Sequence, residues 1–452
     1  MSIALISSIR SSHFGRCLLK QPAVPRQRVL PILLISAAIA LSSHIAFLLF
    51  LPGSWRQNQS TDYSGYYEPV ARNLVTGGGF RLASKPALVY PCGLPILYAG
   101  TFYVADILHI SRNAGLRILE AILLTITSSL VTLTALLIVN WRAALVASAL
   151  WSVYPFHLWL TKQPDSTSAL ALLLLLNVFL FVRWSADGRR SVQYGCFVGL
   201  ILGVAALIKP ITIALPAVVV GLACICVIPC RRRQRALFSS FLIVSYLITI
   251  SPWEIWARKV SGQWIPLSTN GPNVLIDGLT FGTVRGVKAV WMPQDVRALT
   301  QEAVEHYKAL KTTKSISKFL ITKAKEEPTV VAQFFLIKAA RSWYGSESHV
   351  FEKWVLLIQL LYLPLALFGA REMFHGDRQQ RNFLLIVAAT TLYFWGLTTL
   401  TALPDLRYLV PAVSLIMIVV GVALYSLATS FGYRPAAETF FRQPADEGQS
   451  IG

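Results

Sequence analysis

The sequence predicts an all-α protein that crosses a membrane many times. Hydrophobic residues make up 55% of the chain and charged residues only 14%, whereas soluble domains carry roughly 25% charged residues. Stretches of about 20 apolar residues, each long enough to span a bilayer, recur along the chain. Basic residues gather in short segments between these stretches, which is the pattern that orients helices in a membrane.

The net charge of +20 has the same explanation. The lysines and arginines lie in the loops that orient the helices, so we expect membrane lipids and no nucleic acid among the partners. A basic tail, residues 1–28, precedes the first apolar segment, which is too long for a cleavable signal peptide and is interpreted as a true span.

Eleven apolar segments follow one another along the chain, and each is a candidate for a transmembrane helix. They are Val29–Leu51, Pro91–Leu108, Leu116–Val139, Ala143–Leu160, Thr167–Val182, Gln193–Ile208, Pro210–Ile228, Ala236–Trp253, Trp354–Ala370, Phe383–Ala402 and Tyr408–Leu427.

Charge asymmetry orients these segments. The basic tail should be cytoplasmic, so the first segment delivers Asp62 to the outside. The strongest basic cluster, "CRRRQR" at 230–235, should also be cytoplasmic, and this assignment puts Asp165, Lys209, the long loop 254–353 and Arg407 outside. The C-terminal tail, 431–452, is then inside with the N-terminus.

The orientation read from the N-terminus and the orientation read from "CRRRQR" differ by one crossing. If every segment crossed, the orientation read from the N-terminus would put Asp165 in the cytoplasm. We therefore expect one of the segments between Pro91 and Leu160 to be re-entrant or a half-helix buried in protein, which leaves ten crossings.

The first external loop, 52–90, contains a short amphipathic pattern. Tyrosine and aliphatic residues recur at helical spacing from Tyr63 to Leu74, and "GGGF" then ends the pattern. Such a helix, rich in tyrosine, is suited to the membrane surface. Asp62, which follows Thr61, is either an ordinary acid at a helix start or a functional group.

The segment that follows, "SKPALVYPCGLPILYAG", contains three prolines and two glycines. Irregular backbone near a membrane normally lines a cavity or is covered by protein. We expect Lys85 and Tyr90 to face such a cavity.

These stretches resemble the GT-C glycosyltransferases, in particular the protein-mannosyltransferase and aminoarabinose-transferase branch. That branch commonly has an acid, a Tyr, Ala-x-Asn-Leu, Gly-x-Gly-Phe and then Pro-Pro-Gly-Tyr-Pro. This chain follows the order, but Tyr90 stands where the branch has the first Pro, and Leu94 stands where it has the Tyr. Three further stretches agree with the family: "YPFHLWLTKQPDSTSALALL", "SPWEIWARKVSGQWIPLSTNG" and "LPDLRYLVPAVSLIMIVVG".

The resemblance implies a GT-C-type bundle of about 10–11 transmembrane segments over residues 29–430. It also implies a multi-pass enzyme of the plasma (inner) membrane with its active site on the external, periplasmic side. Such an enzyme moves a hexose or pentose from a polyprenyl-phosphate-linked donor to an acceptor hydroxyl on a lipid, a glycan or a protein, with inversion. No cofactor is certain, and a divalent cation remains open, with no metal ligands assigned.

The resemblance also implies roles for individual residues. Asp62 is the candidate general base, and Asp165 would position the acceptor or share a cation with it. The leaving phosphate gains negative charge, so fixed cations should meet it. The candidates for donor binding are Lys85, Lys209, Arg258 and Arg407, together with the tyrosines Tyr66 and Tyr90. For each cation the alternative is a basic side chain that merely reaches the membrane interface.

Two rival functions remain open at this point. A flippase or transporter of polyprenyl-linked glycans would also cross the membrane many times, but it usually carries charged residues inside its spans. The acids singled out here stand at the ends of spans, which favours chemistry at the interface. An O-antigen ligase or polymerase would not need the Asp62 helix.

Overall fold

The computed structural model describes residues 26–53, 61–162, 164–226, 232–287, 290–347, 349 and 351–431. Most of the predicted basic tail, nearly all of the predicted tail 431–452 and the first two residues of the CRRRQR cluster lie outside these ranges. Within them the protein is almost entirely helical, with a single two-stranded hairpin. The predicted all-α class is confirmed.

The first half of the chain forms eight helices and the hairpin. They are α1 (Arg26–Phe50), α2 (Glu68–Val75), β1 (Arg81–Leu82), β2 (Lys85–Pro86), α3 (Gly93–Ile107), α4 (Arg112–Leu136), α5 (Trp141–Ser152), α6 (Pro155–Thr161), α7 (Ser166–Asp187) and α8 (Ser191–Ile208). A π-helical turn, Tyr63–Tyr67, leads directly into α2.

The second half adds nine helices. They are α9 (Leu215–Cys226), α10 (Arg232–Ser261), α11 (Gly271–Thr280), α12 (Gln294–Glu305), α13 (Thr313–Glu326), α14 (Pro328–Arg341), α15 (Glu352–Phe374), α16 (Arg378–Thr401) and α17 (Val410–Ser430). A short 3-10 turn, Leu406–Tyr408, precedes α17.

Every predicted apolar segment coincides with a helix or, in one case, with the pair α5 and α6. Among the described residues, eight helices are long and apolar enough to cross a membrane, and the pair α5–α6, bent by 52°, adds a ninth. Two shorter apolar helices, α3 and α9, complete the set of eleven. Local signals set several boundaries: Ser111 and Asn140 cap α4 and α5 through their side-chain oxygens, and Gly188, at φ 67°, ends α7.

The short helix α3, with 15 residues, packs on the first loop. Its buried Tyr98 packs edge-to-face on Tyr63 and Tyr67 of the first loop, at ring distances of 6.0 and 6.3 Å. At its other end Asp106 pairs with Arg112 at 2.8 Å. The α3 helix therefore lies along the first loop, and α4 begins at the same end of the bundle.

The short helix α9, in contrast, does reach the opposite end. It follows Lys209 at the end of α8, and near its other end the Cys224 carbonyl accepts a hydrogen bond of 3.0 Å from Arg235 at the start of α10. By length and composition the described helices include eight or nine candidate crossings, and the ten crossings that the charge pattern predicts stay a prediction.

Close helix contacts hold the bundle together. Gly195 and Gly199 on α8 face the backbone carbonyls of Phe238 and Leu242 on α10 so closely that a Cβ at either position would collide. The most buried span is α17, with 83% of its apolar window inside the protein, and it packs against α5, α7 and α15. Mostly hydrophobic side chains fill this centre, which removes a large apolar surface from any solvent.

The helices α11–α14 of the long loop pack around a core of their own, which includes Ile276, Phe281, Val296 and Phe334. The segment Gly345–Glu347 attaches this unit to the turn before α17. The Leu406 amide donates to the Gly345 carbonyl at 3.0 Å, and a Cβ at Gly345 would collide with the Pro404 carbonyl. The long loop is thus fixed over one end of the bundle.

Candidate functional site

Asp62 lies at the start of the π-helical turn but does not cap it. Its backbone is already helical, at φ −65° and ψ −38°, and its side chain accepts no hydrogen bond from the helix. One carboxylate oxygen instead accepts a hydrogen bond of 2.9 Å from the hydroxyl of Tyr90. The carboxylate therefore points away from its own helix, towards the residues that follow the hairpin.

A cluster of tyrosines supports this carboxylate. Tyr66 and Tyr67 are buried on the π-helical turn, and each ring lies 5.1 Å from the ring of Tyr90. The Tyr66 hydroxyl donates to the Tyr90 carbonyl at 2.8 Å. Burial raises the pKa of Tyr66, Tyr67 and Tyr90, so all three hydroxyls remain hydrogen-bond donors at neutral pH.

Asp165, the second predicted acid, caps α7. One carboxylate oxygen accepts from the backbone amide and the hydroxyl of Ser166, and the other accepts from the Thr167 hydroxyl at 2.8 Å. Burial opposes ionisation, but Lys209, Arg407 and these hydrogen bonds outweigh it and lower the pKa of Asp165 to about 2. Asp165 is thus a fixed negative charge whose two oxygens are already occupied.

Lys209 stands where α8 ends, with its ammonium nitrogen 4.8 Å from the centre of the Tyr408 ring. Burial lowers the pKa of Lys209, whereas the charge of Asp165 works in the opposite direction. The ammonium group therefore lies over an aromatic ring and is stabilised by the charge of an acid. It does not reach into lipid headgroups.

Arg407, on the turn before α17, is paired with two acids that the sequence did not single out. Its guanidinium binds Glu347 of the long loop at 2.9 Å and Asp405 of its own turn at 3.4 Å. Burial works to lower the pKa of Arg407, but Glu347, Tyr408 and Asp405 outweigh it and raise the pKa well above its ordinary value. The same ion pair acts on the acid: Arg407 lowers the pKa of Glu347 although burial opposes it.

The ion pairs continue into the long loop. Arg285 contacts Glu347 at 3.3 Å and Asp277 at 2.9 Å. Glu347 thus bridges two arginines and joins α11 to the turn before α17. This chain of charges holds the long loop over the candidate site.

The fold brings six of the predicted residues to one end of the bundle, which we call the site end: Asp62, Asp165, Tyr66, Tyr90, Lys209 and Arg407. Besides burial, the charges of Asp62 and Asp165 both raise the pKa of Tyr67. The charges of Asp165, Arg407 and Asp62 all act on the pKa of Lys209. The site end therefore combines two acids, two cations and two tyrosines contributed by five separate parts of the chain.

Two predicted donor-binding residues do not join this cluster. Lys85 lies on β2 with an exposed side chain, so the expectation that it faces a cavity is not met. Arg258 is exposed on the last turn of α10, where its guanidinium lies 5.0 Å from the centre of the Trp264 ring. The cation-rich surface at these positions belongs to solvent or lipid headgroups rather than to the site end.

The sequence interpretation missed Glu347, Asp405 and Tyr408. Asp405 stands in the quoted stretch "LPDLR", two residues before Arg407, so its spacing was a usable signal. Glu347 is an acid in a 100-residue loop, 60 residues from its partner, and nothing local distinguishes it. For a divalent cation, no group of three or more His, Cys, Asp and Glu residues suited to a metal ion exists in the described part of the chain.

A family model described as dolichyl-phosphate-mannose-protein mannosyltransferase matches residues 101–256, about a third of the chain. The match includes Asp165 and Lys209 and begins after the first loop. No curated protein matches the sequence.

Solved structures of the oligosaccharyltransferase AglB from Archaeoglobus fulgidus share the fold. The apo form has a TM-score of 0.56 at 14% identity, over 92% of this chain and 52% of that one. A form with a tethered acceptor peptide has a TM-score of 0.57 at 13% identity, over 90% and 50%. A complex with an inhibitory peptide and a dolichol-phosphate has a TM-score of 0.54 at 14% identity, over 92% and 52%.

This chain therefore spans about half the length of those structures, and at such identities the likeness concerns the fold. Together with the family model, it confirms the resemblance to the GT-C membrane glycosyltransferases that the motifs indicated.

Proposed function

We propose that this protein is a membrane glycosyltransferase that moves a sugar from a polyprenyl-phosphate donor to an acceptor hydroxyl, with Asp62 as the general base. The observation that carries the proposal is the orientation of Asp62. Its carboxylate leaves its own helix, binds Tyr90 and lies among the charges of Lys209 and Arg407. An acid that served only as a helix cap would have no reason to be held in this way.

In the proposed reaction the acceptor oxygen attacks C1 of the sugar. Asp62 takes the hydroxyl proton as the new C–O bond forms, since a neutral hydroxyl is a weak nucleophile. The bond between C1 and the phosphate oxygen breaks, and the polyprenyl phosphate leaves with the electron pair. A single displacement of this kind inverts the configuration at C1.

The leaving phosphate changes from a diester to a monoester and gains negative charge. Lys209 and Arg407 are fixed cations at the site end, and a preorganised cation stabilises charge that develops in the transition state. Arg407 is bound to Glu347 here, so an entering phosphate competes with that carboxylate. Asp165, with both oxygens occupied, acts by holding Lys209 in position rather than by accepting a proton.

The substrate classes rest on the comparisons. The family model names a dolichyl-phosphate-mannose donor and a protein acceptor, and one similar structure contains a dolichol-phosphate and a peptide. We extend to this chain the common element, a polyprenyl-phosphate carrier. The transferred group is a hexose or a pentose, and the acceptor is a protein, glycan or lipid on the external side of the plasma membrane.

The proposal is tested with purified protein in liposomes and a panel of synthetic polyprenyl-phosphate hexoses and pentoses. Mass spectrometry follows the appearance of free polyprenyl phosphate and of glycosylated peptide, glycan and lipid acceptors. We expect at least one donor to be consumed by the wild type and to be spared by Asp62→Asn. The matched control is Glu68→Gln, which neutralises a neighbouring acid that is paired with Arg72 on α2.

Two outcomes would contradict the proposal. Movement of the donor between leaflets without loss of its sugar would identify a flippase. Equal donor consumption by the wild type and a well-folded Asp62→Asn variant would remove Asp62 as the base.

A further inference from the structure

We propose that Tyr90 is a positioning residue that orients the Asp62 carboxylate through the hydrogen bond between its hydroxyl and that carboxylate. This inference rests on the proposed function. It assigns Tyr90 a role towards the base, whereas the sequence interpretation assigned it only to the substrate.

Tyr90 is itself held in three ways. Its hydroxyl donates to Asp62 at 2.9 Å, and its carbonyl accepts from the buried Tyr66 hydroxyl at 2.8 Å. Its ring packs against Tyr66 and Tyr67, with centroids 5.1 Å away in both cases. A side chain fixed at its hydroxyl, its backbone and its ring gives the carboxylate a partner of defined position.

The orientation of the Asp62 carboxylate depends on its hydrogen bond with Tyr90, whereas several hydrogen bonds share the orientation of Asp165. The helix gives Asp62 no capping bond, and Tyr90 is the hydrogen-bond donor found for its carboxylate among the described residues. The bond uses Oδ1, so Oδ2 is the oxygen that an acceptor hydroxyl would approach. Positioned bases need their proton-accepting atom within hydrogen-bond reach of the substrate.

The electrostatic surroundings explain why a neutral donor is useful here. Asp62 faces the cations Lys209 and Arg407, the acids Asp165 and Asp405 lie in the same cluster, and Tyr67 and Tyr408 contact it electrostatically. A third cation would compete for the phosphate, whereas a hydroxyl orients the carboxylate without adding charge.

The experiment measures kcat and the donor KM of sugar transfer by the full-length protein and Tyr90→Phe, using whichever donor the wild type consumes. Removing the hydrogen bond leaves the base without its fixed orientation but does not remove a donor contact. It should therefore lower kcat roughly tenfold, with little change in the donor KM.

The matched control is Tyr98→Phe, which removes a buried hydroxyl from a ring that packs on Tyr63 and Tyr67. It should lower the melting temperature and leave kcat unchanged. If Tyr90→Phe does not fold, 4-aminophenylalanine and 4-methylphenylalanine at position 90 replace it as a pair of similar shape in which only the first can donate a hydrogen bond. The amino analogue should then have the higher kcat.

A kcat of Tyr90→Phe within about twofold of the wild-type value, or equal kcat values for the two phenylalanine analogues, overturns the inference. This failure is distinct from that of the proposed function. If only the inference about Tyr90 fails, the wild type transfers sugar and Asp62→Asn does not. If the proposed function fails, the wild type transfers none.

Discussion

Asp62 and Asp165 stand in similar sequence settings, each at the start of a helical pattern and next to a hydroxyl residue, yet their carboxylates are used differently. Asp165 accepts hydrogen bonds with both oxygens from Ser166 and Thr167 and caps α7. Asp62 caps nothing and binds Tyr90, 28 residues further along the chain. The difference teaches that an acid at a helix start becomes a candidate functional residue when its carboxylate binds a group outside its own helix.

The cause of this difference is the segment after the hairpin. The proline-rich backbone at 86–95 returns across the π-helical turn, and the Ser268 hydroxyl and the Thr269 amide bind the carbonyls of Val89 and Leu88 at 2.5 and 3.0 Å. These bonds fix Tyr90 over Asp62. Asp165, in contrast, accepts its hydrogen bonds from the first two residues of its own helix.

The largest expected difference between the two acids is in catalysis. Asp62→Asn should reduce sugar transfer by about 100- to 10,000-fold, the usual range for loss of a general base, because Asn keeps the shape but cannot take a proton. Asp165→Asn should cost much less, since its oxygens already serve the helix. Turnover of both variants in liposomes measures the difference, and equal losses would mean that the two acids act as a pair.

A smaller effect concerns the leaving phosphate. Arg407→Ala should weaken use of the donor by about 1.5–3 kcal/mol, roughly 10- to 150-fold in kcat/KM, the range for a lost hydrogen bond to a charged group. Arg258→Ala, on the exposed end of α10, is the control and should behave as the wild type.

Because Arg407 also holds Glu347, the effect on the phosphate must be separated from an effect on the long loop. Arg285→Ala removes the other arginine from Glu347 and leaves Arg407 in place. If Arg285→Ala reproduced the whole loss, the role of Arg407 would be to hold the loop and not the phosphate.

The smallest effect is on stability and belongs to Asp165. Asp165→Ala should lower the free energy of unfolding by about 0.5–2 kcal/mol, as the loss of an N-cap does. The lowered pKa adds a pH dependence. The ionised carboxylate stabilises the folded protein fully above pH 3.8, and that contribution is lost as the pH falls through about 2.

The melting temperatures of the wild type and Asp165→Ala in detergent should therefore differ most at mildly acidic to neutral pH and converge as the pH approaches 2. The same comparison for Asp62→Ala should show a smaller stability difference, because Asp62 makes no capping bond. A larger loss of stability for Asp62→Ala would reverse the roles given to the two acids.

The sequence by itself determined the number of apolar helices and nearly all of their positions. Hydropathy is a local property, so segments such as Thr167–Val182 and Gln193–Ile208 were found within a few residues of α7 and α8. Charge asymmetry also required one segment between Pro91 and Leu160 not to cross. Hydropathy could not show that α3 packs on the first loop, because a helix packed along an aromatic loop and a helix in lipid have equally apolar surfaces.

Only the tertiary structure decided the membership of the site end. Lys85, Lys209, Arg258 and Arg407 were equal candidates in sequence, since any cation near a span can face either a site or the headgroups. The fold separates them, because the partners that hold Lys209 and Arg407 come from elements far apart in the chain. Glu347 could not be found from its neighbours for the same reason: the free energy of an ion pair depends on the distance between two charges in space, which the spacing along a 100-residue loop does not contain.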